Sequence, residues 1–213
     1  MGAAGGTPEK VLVVPRARLF EGMGEPRGFG TDRLDAFLDR IRRFSRFEDR
    51  AGVENDPSLK QVIPYVMVVR GGDIYLLKRR AAQTEARLRN LHSVGVGGHI
   101  NPPDGEGGDP VEGGLLRELA EEVEFLGRRE IEPFGTLNDD SNSVGSVHFG
   151  LVFLARTEGG VEVAERDMME GRFLPFKEAL AFLPGMETWS RILLEAVRDR
   201  PDLAEKVFGI RAK

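Results

Sequence analysis

The chain has 213 residues, 40% hydrophobic and 31% charged, with 30 basic side chains against 35 acidic ones and a net charge of -5. Length and composition fit one ample globular domain, or one domain with an appendage. The charge balance excludes a chain-wide basic field for nucleic acid, and the lack of cysteine excludes disulfides, thiolate metal sites and cysteine nucleophiles.

The opening stretch MGAAGGTPEK lacks the basic start and apolar run of a signal peptide. No apolar run approaches the roughly 20 residues that span a bilayer, so a cytoplasmic protein without membrane contact is expected. VLVVP at 11–15 predicts a short strand ended by proline, and GMGEPRGFG at 22–30 predicts a loop. Leu34, Phe37, Leu38, Ile41 and Phe44 recur at helical spacing, with Thr31 or Asp32 as the cap. The other face of that helix carries Arg40, Arg42, Arg43 and Arg46, a solvated face. EDRAGVENDPSLK at 48–60 predicts a polar linker. Residues 1–60 therefore form an N-terminal extension of strand plus amphipathic helix, and 61–213 form the main domain.

QVIPYVMVVR and IYLLKRR flank Gly71-Gly72-Asp73 and predict a hairpin. Pro64 inside the first strand points to an edge or a bulge. A glycine- and proline-rich loop follows at 93–110, then a helix at about 110–125. IEPFGTLND and SVHFGLVFLAR read as strands, GRFLPFKEALAFL as a strand and short helix, and METWSRILLEAVRD at 186–199 as an amphipathic helix. The order of elements is an α+β or α/β sandwich pattern, not a bundle.

The helix near 110 begins with Asp109 as cap, Pro110 in the first position and Glu112 where a capping-box acid belongs. Val111, Leu115, Leu116, Leu119 and Val123 fall on one stripe facing a core. Glu118, Glu121 and Glu122 share a neighbouring face, with Gly114 leaving room one turn earlier. Like charges at this spacing cost a few tenths of a kcal/mol each, and Gly113 and Gly114 cost roughly 1 kcal/mol each against alanine. A helix selected for stability alone would avoid both. A divalent cation such as Mg²⁺, which takes oxygen ligands and bridges to phosphates, resolves the conflict; a merely solvated face is the competing reading.

Gly97-Gly98, Asp109 and RELAEE at 117–122 together resemble the signature of the Nudix hydrolase family: a glycine, five residues, an acid, seven residues, then Arg-Glu-apolar-X-Glu-Glu. Gly98, Asp109, Arg117, Glu118, Leu119, Glu121 and Glu122 match. Three departures stand out. Ten residues separate Gly98 from Asp109 instead of five, Asp109 replaces the usual glutamate, and Glu124 stands where glycine is common. The longer loop widens the mouth of the site or brings Asp104 or Glu106 near it.

The resemblance covers about residues 61–195 and implies an α/β/α sandwich with a mixed sheet between helices. It also implies Mg²⁺- or Mn²⁺-dependent hydrolysis of a nucleoside diphosphate linked to another group X. Glu118, Glu121, Glu122 and Arg117 are the implied catalytic set. The cation is held by Glu118, Glu121, Glu122 and the carbonyl of Gly97, with Gly98 and Asp109 in support. Lys78, Arg79, Arg80, His99 and Glu170 are candidate substrate contacts, each with a plain alternative as a solvated strand end or a structural loop residue. Either Glu165 or Glu170 is a candidate further acid, and His148 reads as half-buried and structural. The expected partner is a small phosphorylated molecule, with no nucleic acid and no membrane; homodimers are common in the family. An isopentenyl-diphosphate isomerase on the same fold would depend on a cysteine that this chain lacks. A non-catalytic sensing module is the other alternative.

Overall fold

The computed structural model describes residues 8–79, 91–164 and 169–209. The chain opens with β1 (Lys10–Pro15), α1 (Arg16–Phe20), β2 (Gly28–Gly30), α2 (Leu34–Phe44), β3 (Arg46–Asp49) and α3 (Arg50–Val53). The hairpin β4 (Leu59–Arg70) and β5 (Asp73–Arg79) follows, then β6 (His92–Ser93), β7 (Gly95–Val96), a 3₁₀ turn at Pro102–Gly105 and α4 (Pro110–Glu122). The remainder is β8 (Val123–Phe125), β9 (Arg129–Asn138), α5 (Ser143–Ser146), β10 (His148–Thr157), β11 (Val161–Val163), β12 (Met169–Pro175), α6 (Phe176–Ala179), a 3₁₀ stretch at Leu180–Gly185, α7 (Thr188–Asp199) and α8 (Pro201–Phe208).

A mixed sheet runs in the order β12-β5-β4-β10-β9-β2, with β4 and β10 parallel and the other pairs antiparallel. One face carries Val62, Val66, Tyr75, Leu77, Phe149 and Leu151, packed against Phe37 and Ile41 of α2 and Val111, Leu115 and Leu119 of α4. The opposite face carries Tyr65, Met67, Ile74, Leu76 and Leu154 under Leu193, Leu194 and Val197 of α7. Burying such side chains stabilises by about 1.5–3 kcal/mol each. The architecture is the α+β sandwich expected, and among the described residues no helix is long and apolar enough to cross a membrane.

Several local expectations change. The stretch at 48–60 is not a free linker: β3 pairs with β1 from Lys10↔Asp49 to Val13↔Arg46, and Val53 of α3 is buried against Val11 and Val13. β1 in turn pairs with β4 from Val13↔Gln61 to Pro15↔Leu59, so the N-terminal segment joins the sheet. Within the expected loop at 22–30, Phe29 of β2 lies opposite Leu137 of β9. Gly135 permits this, because a Cβ there would stand 2.7 Å from the Phe29 ring.

Neither Thr31 nor Asp32 caps α2; Arg33 precedes it at φ 63°, with no side-chain cap bond. Leu116 leaves the core stripe and is 46% exposed, because the buried stripe of α4 centres on Val111, Leu115 and Leu119. α4 ends at Glu122, and β8 turns away to pair with β11. Pro64 lies in a central strand, opposite Leu151, yet on the other flank it falls between the residues paired with β1 and those paired with β7. The missing N–H therefore costs no ladder bond on that side. The final helix α8 is absent from the sequence reading; its start at Pro201, immediately after α7, reads more readily as a stop.

Candidate active site on the charged helix

Two close approaches fix the turn after β7. A Cβ on Gly97 would stand 1.9 Å from the carbonyl oxygen of Pro64, so only glycine fits against β4. A Cβ on Gly98 would stand 2.6 Å from both carboxylate oxygens of Glu118. The bare backbone of Gly98 thus lets the Glu118 carboxylate lie directly against the turn. That side chain is only 14% exposed, and burial pushes its pKa up, with Arg117 opposing the rise.

Arg117 lies at the centre of the cluster. Its Nη1 donates to Glu118 Oε1 at 2.9 Å and to Glu121 Oε2 at 3.0 Å. Nε donates to Asp104 Oδ1 at 2.9 Å, and Nη2 donates to Asp104 Oδ2 at 3.1 Å, the carbonyl of His99 at 2.6 Å and Asn101 Oδ1 at 3.2 Å. Its bidentate partner is an aspartate of the long loop and not one of the helix glutamates. The hydrogen bonds to Asp104 hold the guanidinium pKa above its usual value, against the lowering effect of burial. Glu121 is 57% exposed; Glu122 is half-buried, and its carbonyl accepts from Ala164 N at 2.9 Å.

Asp109 caps α4 as expected, accepting from Val111 N at 2.9 Å. Its other oxygen accepts from Arg42 Nε at 3.3 Å, so one arginine of the supposed solvated face of α2 reaches the start of this helix. Glu112 is exposed and does not close a box; the reciprocal cap forms instead between Asn101 and Asp104 at the 3₁₀ turn.

His99 meets His148, with Nε2 atoms 3.3 Å apart. His148 Nδ1 lies 2.6 Å from the carbonyl of Val144 and donates to it. Its Nε2 is then the acceptor, and His99 Nε2 the donor. Burial, reinforced by the fields of Arg50, His148 and Arg117, brings the His99 pKa to about 3; burial also lowers that of His148, so both rings are neutral at pH 7.

Lys78 and Glu170 oppose each other across β5 and β12, 3.6 Å apart. They follow the alternation of Ile74 and Leu76 onto the sheet face covered by α7, whereas α4 packs on the opposite face. The structure pairs these two and does not bring them to the glutamates. Arg79 lies opposite Met169 in the same ladder; Arg80 and Glu165 fall outside the described residues. Among the described residues no three imidazole or carboxylate groups form a ready metal cage, because Arg117 stands between Glu118 and Glu121. Mg²⁺ does not require one, since it keeps several waters and needs one or two carboxylates.

The NUDIX domain family matches residues 60–197. The chain belongs to the Nudix family. Protein YmaB of Bacillus subtilis (strain 168) is 32% identical over 198 residues, covering 88% of this chain and 96% of its own length. The crystal structure of Tm1382 superposes with a TM-score of 0.76 at 34% identity, over 90% of this chain and 99% of that one. The Nudix domain of Shewanella oneidensis NrtR, solved with ADP ribose, shares the fold at 16% identity and a TM-score of 0.52, over 66% of this chain and 88% of that one. The chain has the Nudix fold and is a Nudix-type pyrophosphohydrolase, a class that generally uses divalent cations.

Proposed function

We propose that the protein cleaves the diphosphate linkage of a nucleoside diphosphate joined to a further group (a nucleotide sugar, a dinucleotide or an NTP) and that it does so with Mg²⁺ or Mn²⁺. The observation that carries this reading is a charge imbalance. Among the described residues one guanidinium, Arg117, faces three carboxylates, those of Asp104, Glu118 and Glu121, and two of the three are largely withdrawn from water. Carboxylates are kept in that condition at a cost unless further positive charge arrives.

Glu118, Glu121, Glu122 and the carbonyl of Gly97 would hold the ion. A divalent cation bound there lowers the pKa of water and offsets the charge of the diphosphate oxygens. Glu118 serves as a ligand or takes the proton of the attacking water, and its contact with Arg117 fixes its direction. Arg117 has its N–H groups committed to six acceptor atoms, so it positions carboxylates and does not reach for substrate. The neutral His99–His148 pair beside the turn offers hydrogen bonding without charge. A cytoplasmic location and a homodimer belong to the same proposal; light scattering of the purified protein checks the dimer.

The test is a panel of ADP-ribose, dinucleoside polyphosphates, NADH and NTPs with Mg²⁺ or Mn²⁺, with products identified by mass. Release of a nucleoside monophosphate or of phosphate is expected. Glu121→Gln and Glu122→Gln should each lower kcat by about 100-fold or more, the scale of losing a metal or proton-transfer group. Equal rates for wild type and both variants would overturn the assignment. Tight binding of a panel member without turnover would favour the sensing module instead.

A further inference from the structure

The acid that binds the arginine of this Nudix box lies in the loop ahead of the charged helix. We infer that Asp104, and not Asp109, is the positioning residue that holds Arg117 and, through it, sets the carboxylates of Glu118 and Glu121. The inference deepens the metal-site reading above, and its functional half rests on that reading.

Four observations converge on Asp104. Its side chain is 4% exposed, and both oxygens engage the guanidinium, at 2.9 and 3.1 Å. Oδ2 also accepts from Asn101 N at 2.7 Å, which fixes the carboxylate within its own turn. The helix is shaped to receive that turn: a Cβ on Gly113 would stand 2.1 Å from the carbonyl oxygen of Asp104, and one on Gly114 would stand 2.8 Å from Ile100 and 3.3 Å from Asp104 Oδ2. The two glycines that weaken α4 are thus what allows the loop to lie flat on it.

Spacing points the same way. Five residues separate Gly98 from Asp104, the interval of the signature, so the extra length falls at 105–109. Asp109 stands eight positions before Arg117, about 12 Å along a helix axis at 1.5 Å per residue. Its oxygens are bound to Val111 N and Arg42. The insertion has therefore separated two jobs: Asp109 begins the helix, and Asp104 binds the arginine.

The pairing is read without metal or substrate by thermal denaturation of the full chain. Asp104→Asn and Arg117→Gln should lower Tm non-additively in the double variant, whereas Asp109→Asn and Arg117→Gln should add. Additive losses for Asp104, or coupling for Asp109 as large, overturn the inference. The functional half is read by Mn²⁺ affinity, followed by electron paramagnetic resonance on samples with native circular dichroism. Asp104→Asn should weaken Mn²⁺ binding by about 10-fold or more, the effect typical of a group orienting a ligand. Asp104→Glu, which keeps the charge, should recover part of the loss, and unchanged affinity in Asp104→Asn overturns the positioning role. A wild type that binds no Mn²⁺ sinks the metal reading itself, while the Tm cycle still decides which acid holds Arg117.

Discussion

Arg117 and Lys60 each gather carboxylates and carbonyls around a cationic side chain, and they do so to opposite ends. Lys60 is 0% exposed, and its Nζ donates to Asp140 Oδ1 at 2.8 Å and to the carbonyls of Gly145 and His148 at 3.1 Å. Arg16 of the N-terminal segment grips Asp140 and Glu25 alongside it. Two cations there meet two carboxylates. Around Arg117, among the described residues, one cation meets three. The balanced cluster is closed and fastens the segment at 10–25 to the loop between β9 and β10. The unbalanced one retains negative charge for a ligand to answer. Among buried polar clusters, it is the surplus that distinguishes a site from a rivet.

Removing Lys60 should break the balanced cluster most severely. Lys60→Ala removes a fully buried side chain and its hydrogen bonds to two carbonyls and to Asp140, which keeps Arg16 and Asn138, at a cost of about 3 kcal/mol or more. For a chain of this length that lowers Tm by roughly 6–12 °C, measured by differential scanning calorimetry. A loss as small as that of an exposed lysine would erase the distinction drawn here.

Added cation sharpens the contrast from the other side. Mg²⁺ at about 100 times its Kd stabilises a protein that binds it only when folded by about 2.7 kcal/mol. Wild type and Lys60→Ala should show the same upward shift in Tm, and Glu121→Gln a smaller one. No shift at millimolar metal would count against the site.

Acid separates the clusters with a smaller effect. Burial alone would raise the Asp140 pKa, but hydrogen bonds from Arg16, Lys60 and Asn138 overcome it and hold the group at about 2. A depressed carboxyl stabilises the fold above its unfolded pKa of 3.8, and that contribution disappears as pH falls from there through about 2. Chemical denaturation across this window should fall less steeply for Asp140→Asn than for wild type. Parallel curves would show that Asp140 adds no stability through its charge.

How much of this was legible depends on the range of the forces involved. The hairpin at Gly71-Gly72, the cap at Asp109 and the glutamate face of α4 follow from neighbouring residues, and the sequence reading has them. β2 and β3 were not legible, because each is a strand only by pairing at a sheet edge with residues far along the chain. The burial of Lys60 was hidden for the same reason, since its acceptors lie 80 to 88 positions away. Asp104 is an intermediate case. The five-residue interval after Gly98 pointed to it, but Asp109 satisfied the other half of the pattern, and only contact with Arg117 separates them.

β1 makes two more bonds outside its ladders. Leu12 N donates to the carbonyl of Ile100 at 2.9 Å, and Asn101 Nδ2 donates to the carbonyl of Lys10 at 2.8 Å. During translation at about 5–20 residues per second, VLVV leaves the ribosome several seconds before either partner exists. Its ladders with β3 and β4 can form once residues 46–61 have emerged, so the strand waits only for its last fastening, to the loop near residue 100.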